Sequence, residues 1–278
     1  MIMIQEYSNT IDFNRLSSMK SFVDDFHMHN FYELFILLKG ELSFLVQNSR
    51  YDIAAGTLLV INDTELHRSI NRLEQPYERI YIHIPPDFFQ RYATSEIDLS
   101  ACFKNRSPGE NNLMLLEDSQ TDFILRQYES LKQAASYPLN GQQLLIDSYI
   151  IQLLIYVNNL FDKHQTMLPS AYSANTQTII HYIEKHLLDV ITLDELANEL
   201  FLNKYYMCHM FKKETGTTIF NYIFLCRISK AKSLLLEGKN VTEACYGAGF
   251  RDYTNFITAF KKFTGYTPKK YQLFMRLS

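Results

Sequence analysis

Five side chains in the first third of the chain have types and spacings that suit ligand chemistry: His27, His29, Glu33, Tyr81 and His83. His27 and His29 alternate by two, so on a strand they point to the same side. Imidazole and carboxylate together suit a divalent Zn, Fe, Mn or Ni ion. His27, His29 and Glu33 are the candidate ligands, and His67 and His83 are placed to supply a further nitrogen. The same groups, converging with Tyr81 in a concave site, also suit a sugar or another polar metabolite. A small polar effector is the expected occupant, and no metal or other cofactor is expected. The sequence shows neither a nucleophile–base pair nor a phosphate-cradling glycine loop, so an enzyme is not expected.

A second set of polar groups lies in the last hundred residues, inside an internal repeat. TLDELANELFLNKYYMCHMFKKETG (192–216) resembles NVTEACYGAGFRDYTNFITAFKKFTG (240–265). Each unit opens with a capping residue three places before a glutamate, Thr192 with Glu195 and Asn240 with Glu243. In that arrangement side chains satisfy the first unpaired N–H groups of a helix. A short helix, a tight connection and a longer helix ending in Phe-Lys-Lys-x-Thr-Gly follow in both. Gly247 and Gly249 fall in the second connection, and Gly216 and Gly265 suit helix C-termini, because glycine adopts positive φ at no steric cost. This is the helix-turn-helix plan, whose second helix enters the major groove. Between the units Ile219–Glu237 reads as one continuous helix stopped by Gly238. Such a helix holds two readers about one DNA turn, roughly 34 Å, apart.

With KAKSLLLEGKNVTEACYGAGFRDYTNFITAFKKFTGYTPKKY (230–271), these features closely resemble the AraC/XylS family of bacterial transcription regulators. The resemblance implies a seven-helix domain that binds double-stranded DNA through helices near 203–213 and 252–262. Tyr205 and His209 fall where the family's first reading helix meets base edges, and Thr254 and Thr258 fall at the matching places in the second. Lys204, Lys212, Arg251, Tyr253 and Lys261 complete the expected DNA-contacting set, with Lys212 and Lys261, like Lys213 and Lys262, as phosphate partners. The family commonly has arginine where His209 and Thr258 stand, and arginine reads guanine with two hydrogen bonds. More weight is therefore expected on phosphate contacts and DNA shape. Phe201 replaces the glycine usual in the first connection. Met207, Met210, Phe211, Phe256 and Phe260 are at core spacing.

His27, His29, Glu33 and Gly40 also fit HxH-x3-E-x6-G, which resembles the first metal-binding motif of the cupins. The second cupin motif is poorly matched: Ala54 stands at the expected proline and His67 comes too late. AraC-type regulators often carry such a barrel without a metal. The resemblance implies an effector-sensing domain, a homodimer, and RNA polymerase as a partner if the protein activates. The alternatives are a metal-dependent cupin domain, enzymatic or metal-sensing, fused to a DNA-binding domain, and a regulator controlled by a partner protein.

The elements needed to hold these residues can be read along the chain. Phe31–Leu38, Leu42–Gln47, a run from Tyr51, Leu58–Asn62 and Glu78–Ile84 read as strands, with Ile80, Ile82 and Ile84 on one face and Tyr81 and His83 on the other. Several short strands with no helical pattern between them suggest an antiparallel sandwich or barrel. Asp118–Ser136 and Gly141–Asp162 read as helices, the second apolar enough to pack on its own barrel or on a second copy. The expected fold is α+β and multidomain. Residues 1–112 form a cupin-like antiparallel β-barrel and 113–162 a helical dimerisation region. Residues 163–175 form a linker, and 176–278 an all-α domain with two helix-turn-helix units.

The bulk properties agree with that division. Residues 173–278 carry 14 basic and 9 acidic side chains, a net of +5, whereas the whole chain of 278 residues has a net charge of −3. Only one end is then suited to a polyanion. No uninterrupted run of 18 apolar residues occurs, so no membrane span is expected. The start MIMIQEYSNT lacks a basic flank and a cleavage site, so no secretory leader is expected. Cys102, Cys208, Cys226 and Cys245 form no CxxC pair, which fits a reducing cytoplasm.

Overall fold

A computed structural model of the protein describes residues 10–18, 26–71, 75–163 and 172–277. The N-terminal half runs β1 (Asp12–Ser18), β2 (Tyr32–Lys39), β3 (Glu41–Val46), β4 (Ser49–Ala54), β5 (Thr57–Ile61), β6 (His67–Ile70), β7 (Tyr77–Ile84), α1 (Pro86–Arg91), α2 (Ala101–Lys104), β8 (Leu113–Leu115), α3 (Asp118–Ser136) and α4 (Gln142–Lys163). The C-terminal half runs α5 (Ala174–Lys185), α6 (Leu193–Glu199), α7 (Lys204–Thr215), α8 (Ile219–Leu236), α9 (Val241–Gly247), α10 (Tyr253–Thr264) and α11 (Pro268–Leu277).

The strands make two antiparallel sheets, β1-β7-β2-β5-β8 and β4-β3-β6. The larger sheet is covered on both faces. Leu34, Ile36, Leu58, Val60, Ile80 and Ile82 pack against α1–α4 through Phe88, Phe103, Ile124, Leu131, Leu153 and Val157. Phe35, Leu37, Leu59 and Ile61 point the other way and meet Phe44, Val46, Tyr51 and Ile53 of the smaller sheet. A strand buried on both faces reads as a continuous apolar run, which is why Phe31–Leu38 shows no polar alternation. Glu33 and His83 share the inner face with Phe35, so the sheet pattern alone sends two ionisable groups between the sheets.

The helical region begins later than position 113. Leu113–Leu115 is β8, which pairs with β5 and adds the last strand to the large sheet. The expected linker 163–175 lies largely outside the described residues. At its described ends Lys163 closes α4, Tyr172 is buried, and the Ser173 side chain caps α5. Among the described residues α4 is the helix long and apolar enough to cross a membrane. Its row Ile150, Leu153, Leu154 and Val157 is turned into the N-terminal core, while Leu144 (68% exposed), Leu145 and Ile155 stand outside.

The C-terminal core is built by seven helices around Phe211, Tyr222, Ile228, Phe256, Phe260 and Tyr271, all buried. Met207, Met210 and Phe211 join it as their spacing predicts. Both capping boxes form, Thr192 with Glu195 and Asn240 with Glu243. Gly216 and Gly265 cap α7 and α10 at φ 76° and 79°. Gly247 is a correction: it is the last residue of α9, and the positive φ belongs to Gly249 at 87°. The same core continues into the β domain, because Phe26, Met28, Leu45 and Leu66 pack within it.

Candidate functional site

α7 and α10 present matching polar rows. Tyr205, His209 and Lys212 are exposed on α7, and Thr254, Thr258 and Lys261 are exposed on α10. Residues four apart stack on one helix face, so each row is a continuous strip. The helices start from side-chain caps: Asn203 accepts from the N–H groups of Tyr205 and Tyr206, and Asp252 from that of Asn255. These caps fix where Tyr205 (84% exposed) and Thr254 project.

Three of the expected contacts have partners within the chain. Lys204 Nζ sits 2.9 Å from both oxygens of Asp194, Arg251 donates to Leu188 O (3.1 Å), and the Thr258 hydroxyl bonds Thr254 O (3.1 Å). Tyr253 is partly exposed beside the Asp252 cap. In the first connection Phe201 keeps the left-handed conformation usual for glycine (φ 53°) and is 96% exposed. The second connection has Gly249, where an added Cβ would lie 2.5 Å from Leu187 O.

The sensor-side candidates do come together, with one addition. Strand pairing sets Asp12, His83 and Glu33 in a row across β1, β7 and β2. The segment at His27 pairs with the start of β6 through reciprocal backbone bonds between His27 and His67. That pairing carries His67 and His29 across to Glu33. Glu33 Oε2 lies 2.9 Å from His29 Nε2, 3.3 Å from His67 Nε2 and 3.6 Å from His83 Nε2. His27 stands half-buried beside His67, ring centroids 4.3 Å apart. Tyr81 lies at the edge, 4.6 Å from the His83 ring. The sequence marks His67 only as a spare nitrogen, because its spacing from the first motif is long. The backbone bridge to His27 shortens that distance in space, and nothing local in the sequence signals it.

The loop before His67 is rigidly held. Glu65 is fully buried and accepts from Arg106 (2.6 Å), from the Gly109 N–H (2.7 Å) and from the Asn62 N–H (2.9 Å). Burial raises the Glu33 carboxyl, but the imidazoles of His29, His67 and His83 set against it override burial and hold it well below the usual range. Burial pushes the His29 imidazole down to about 4 against the pull of Glu33. For His83, burial is outweighed by Asp12 and Glu33, which lift it to about 9. The remaining space between the sheets is filled by Phe35, Phe44, Tyr51, Ile61 and Tyr77. A ligand of the polar cluster is thus confined to one end of the barrel.

This end abuts the helical domain. Lys232 of α8 is 0% exposed and donates to His29 O (3.2 Å) and to Asp63 O. Its ammonium also stands over the Tyr271 ring, and burial pushes it down to about 8. Ser229 donates to Thr64 O (2.8 Å), Tyr222 to Gln47 O (3.2 Å), and Arg68 to Thr215 O at the end of α7 (3.1 Å). Sequence patterning had no access to these contacts. Lys232 sits in a helix whose apolar pattern says nothing of a distant partner.

Comparison with known proteins supports both halves. Residues 17–154 match the family model for an AraC-like ligand binding domain, and residues 196–273 match a helix-turn-helix domain. An HTH-type transcriptional regulator in the cgkA 5′ region of Pseudoalteromonas carrageenovora is 40% identical over 96 residues, 34% of this chain and 57% of that protein. The HTH-type transcriptional regulator YbfI of Bacillus subtilis is 24% identical over 229 residues, 82% of this chain and 80% of that protein. Among solved structures, unsaturated fatty acid-bound ToxT of Vibrio cholerae aligns over 97% of both chains at 15% identity, with a TM-score of 0.39. With a ligand-binding domain and a helix-turn-helix domain in this order, the chain belongs to the AraC/XylS family of transcription regulators.

Proposed function

We propose that this protein is a sequence-reading DNA-binding regulator whose hold on DNA is set by a small polar ligand of the N-terminal domain. The observation that carries the DNA reading is the pair of strips Tyr205–His209–Lys212 and Thr254–Thr258–Lys261, repeated in register on two capped helices. α8 lies between the units with 18 residues, a rod of about 27 Å at 1.5 Å per residue. Tyr205, His209, Thr254 and Thr258 meet base edges. Lys212 and Lys261 meet phosphates, and Lys204, Arg251 and Tyr253 flank them. With no arginine in either strip, shape and phosphate contacts contribute more than guanine readout does.

The ligand acts at the cluster of His27, His29, Glu33, Tyr81 and His83, joined by His67. It changes DNA binding only if it favours one placement of the helical domain over another. The contacts of Lys232, Ser229 and Tyr222 with the β domain, and of Arg68 in β6 with Thr215 of the helical domain, are what such a ligand shifts. The exposed row Leu144, Leu145 and Ile155 of α4 is the surface through which two copies pair. Footprinting of the purified full chain on its operator tests the reading. Two protected major-groove segments about one helical turn apart are expected per protomer. A single protected segment would overturn the two-reader arrangement.

A further inference from the structure

We infer that the ligand of the N-terminal domain is a divalent first-row transition-metal ion, held by Nε2 of His29, His67 and His83 and by the carboxylate of Glu33. The inference deepens the sensing function proposed above and depends on it for any effect on DNA. The ion site itself stands on geometry.

Hydrogen positions decide the matter. His29 Nδ1 lies 3.1 Å from Phe31 O, and His67 Nδ1 lies 2.9 Å from Glu65 O. A carbonyl oxygen can only accept, so both Nδ1 atoms carry the hydrogen. In the neutral rings Nε2 then presents a lone pair. Both of these lone pairs face Glu33 Oε2, at 2.9 and 3.3 Å, and His83 Nε2 faces the same oxygen at 3.6 Å. All four residues are buried. Converging electron pairs in a dry site repel one another unless positive charge sits among them. A proton serves one N···O line at a time. It leaves His67 Nε2, which is buried without a hydrogen bond, unsatisfied. An ion among the four donors satisfies all of them together.

The surroundings have the form that metal-bound imidazoles require. The far nitrogen of such a ring is normally fixed by a carbonyl or carboxylate, which sets the tautomer and the ring direction. Phe31 O and Glu65 O do this for His29 and His67, and Asp12 Oδ2 stands 3.6 Å from His83 Nδ1. The donor atoms of His29, Glu33 and His83 lie within 4.8 Å of one another, as do those of His27, His29 and His67. Metal bonds of about 2.0–2.2 Å place neighbouring donors roughly 3–4 Å apart, so small side-chain movements close the shell. Glu33 and Asp12 together balance the two charges of the ion. Three imidazoles and one carboxylate, with no thiolate, suit Zn, Ni, Co, Fe or Mn, and not the all-oxygen shells of Ca or Mg. His27, half-buried beside His67, marks the mouth of the site.

The ligands also reach the helical domain. The His29 ring binds the ion while its carbonyl accepts from Lys232, and the residue after His67 is Arg68, which holds Thr215 O. Drawing these two imidazoles inward moves both attachments of the DNA-binding domain.

The test uses the full chain, freed of metal with a chelator and titrated with Co(II) and then Zn(II). One Co(II) per chain is expected, with visible d–d absorption lost on adding Zn(II). Glu33→Gln and His67→Gln should each weaken binding by at least about 100-fold, and Asp12→Asn by about tenfold. Asp12 is half-exposed, so that variant keeps the test open if the buried ones fail to fold. Absence of stoichiometric Co(II) or Zn(II) binding by the wild-type chain overturns the inference. So does unchanged affinity in Glu33→Gln and Asp12→Asn. If instead a sugar or metabolite shifts thermal unfolding of a chain that binds no metal, the ion falls and the sensing function stands. One bound ion with unaltered DNA affinity keeps the site and overturns the sensing function.

Discussion

At the end of α7 the carbonyl of Thr215 accepts from Arg68 of the β domain, and the Arg68 guanidinium fills the space beside Gly216. At the matching end of α10, the Thr264 hydroxyl bonds Phe260 O and Tyr266 O, just as the Thr215 hydroxyl bonds Phe211 O and Thr217 O. The local chemistry of the two helix-turn-helix units is therefore the same, and their long-range attachment differs. The first unit is tied to strand β6, which carries His67, while the second repeats the local design. Arg68 links the strand that carries His67 to α7, and Lys232 links the His29 segment to α8. On the function proposed above, a ligand of the histidine cluster sets the placement of one unit relative to the other.

The connections offer the largest contrast between the units. Gly249→Ala forces a Cβ to within 2.5 Å of Leu187 O at a φ of 87°, and should destabilise by about 1–3 kcal/mol or more. Phe201→Gly at the equivalent turn relieves a left-handed residue whose side chain is exposed, and should be neutral or stabilise by up to about 1 kcal/mol. Denaturant unfolding of both variants checks this. Equal losses would mean that the two turns are not equivalent in conformation.

Next come the caps. Asn203 accepts two backbone N–H groups and Asp252 one. Alanine at either should cost about 1 kcal/mol, with the loss at Asn203 at least as large, read as a shift in thermal midpoint. A cost at Asp252 well above that at Asn203 would reverse the expected order.

The last contrast concerns α8 and is read against pH. Burial holds Lys232 near 8, against 10.5 for an ordinary lysine. Between those values the unfolded chain keeps a proton that the folded chain has released, so this group makes stability rise as pH climbs from about 8 to 10.5. Lys232→Met should remove that rise. Groups outside α8 titrate alike in both proteins, so the difference between them isolates Lys232. Parallel stability curves from pH 8 to 10 would contradict the burial of an ionisable ammonium.

Much of the helical domain was legible because its signals are local. Caps, glycines and the spacing of Met207, Phe211, Phe256 and Phe260 each lie within one or two helical turns. The β domain was read less completely. β1 is polar and half-exposed, β6 has four residues and β8 three, too short for alternation to register. Glu33, His29 and His83 were found by spacing and face, but His67 arrives through a bridge that joins residues forty apart in the chain. The attachment of Lys232 and Arg68 spans still greater separations, and no local pattern encodes it.

The proposed function makes the two related strips the readers of DNA sequence. Selection of binding sites from randomised DNA, compared between the wild type and the double variant Tyr205→Ala, His209→Ala, tests it most directly. The variant should lose preference over one half-site, by about 1–3 kcal/mol per contacted base pair, while the half-site read by Thr254 and Thr258 keeps its preference. An equal fall in affinity for every sequence, with both half-sites still preferred, would show that Tyr205 and His209 only position the protein on the backbone, and would contradict the account.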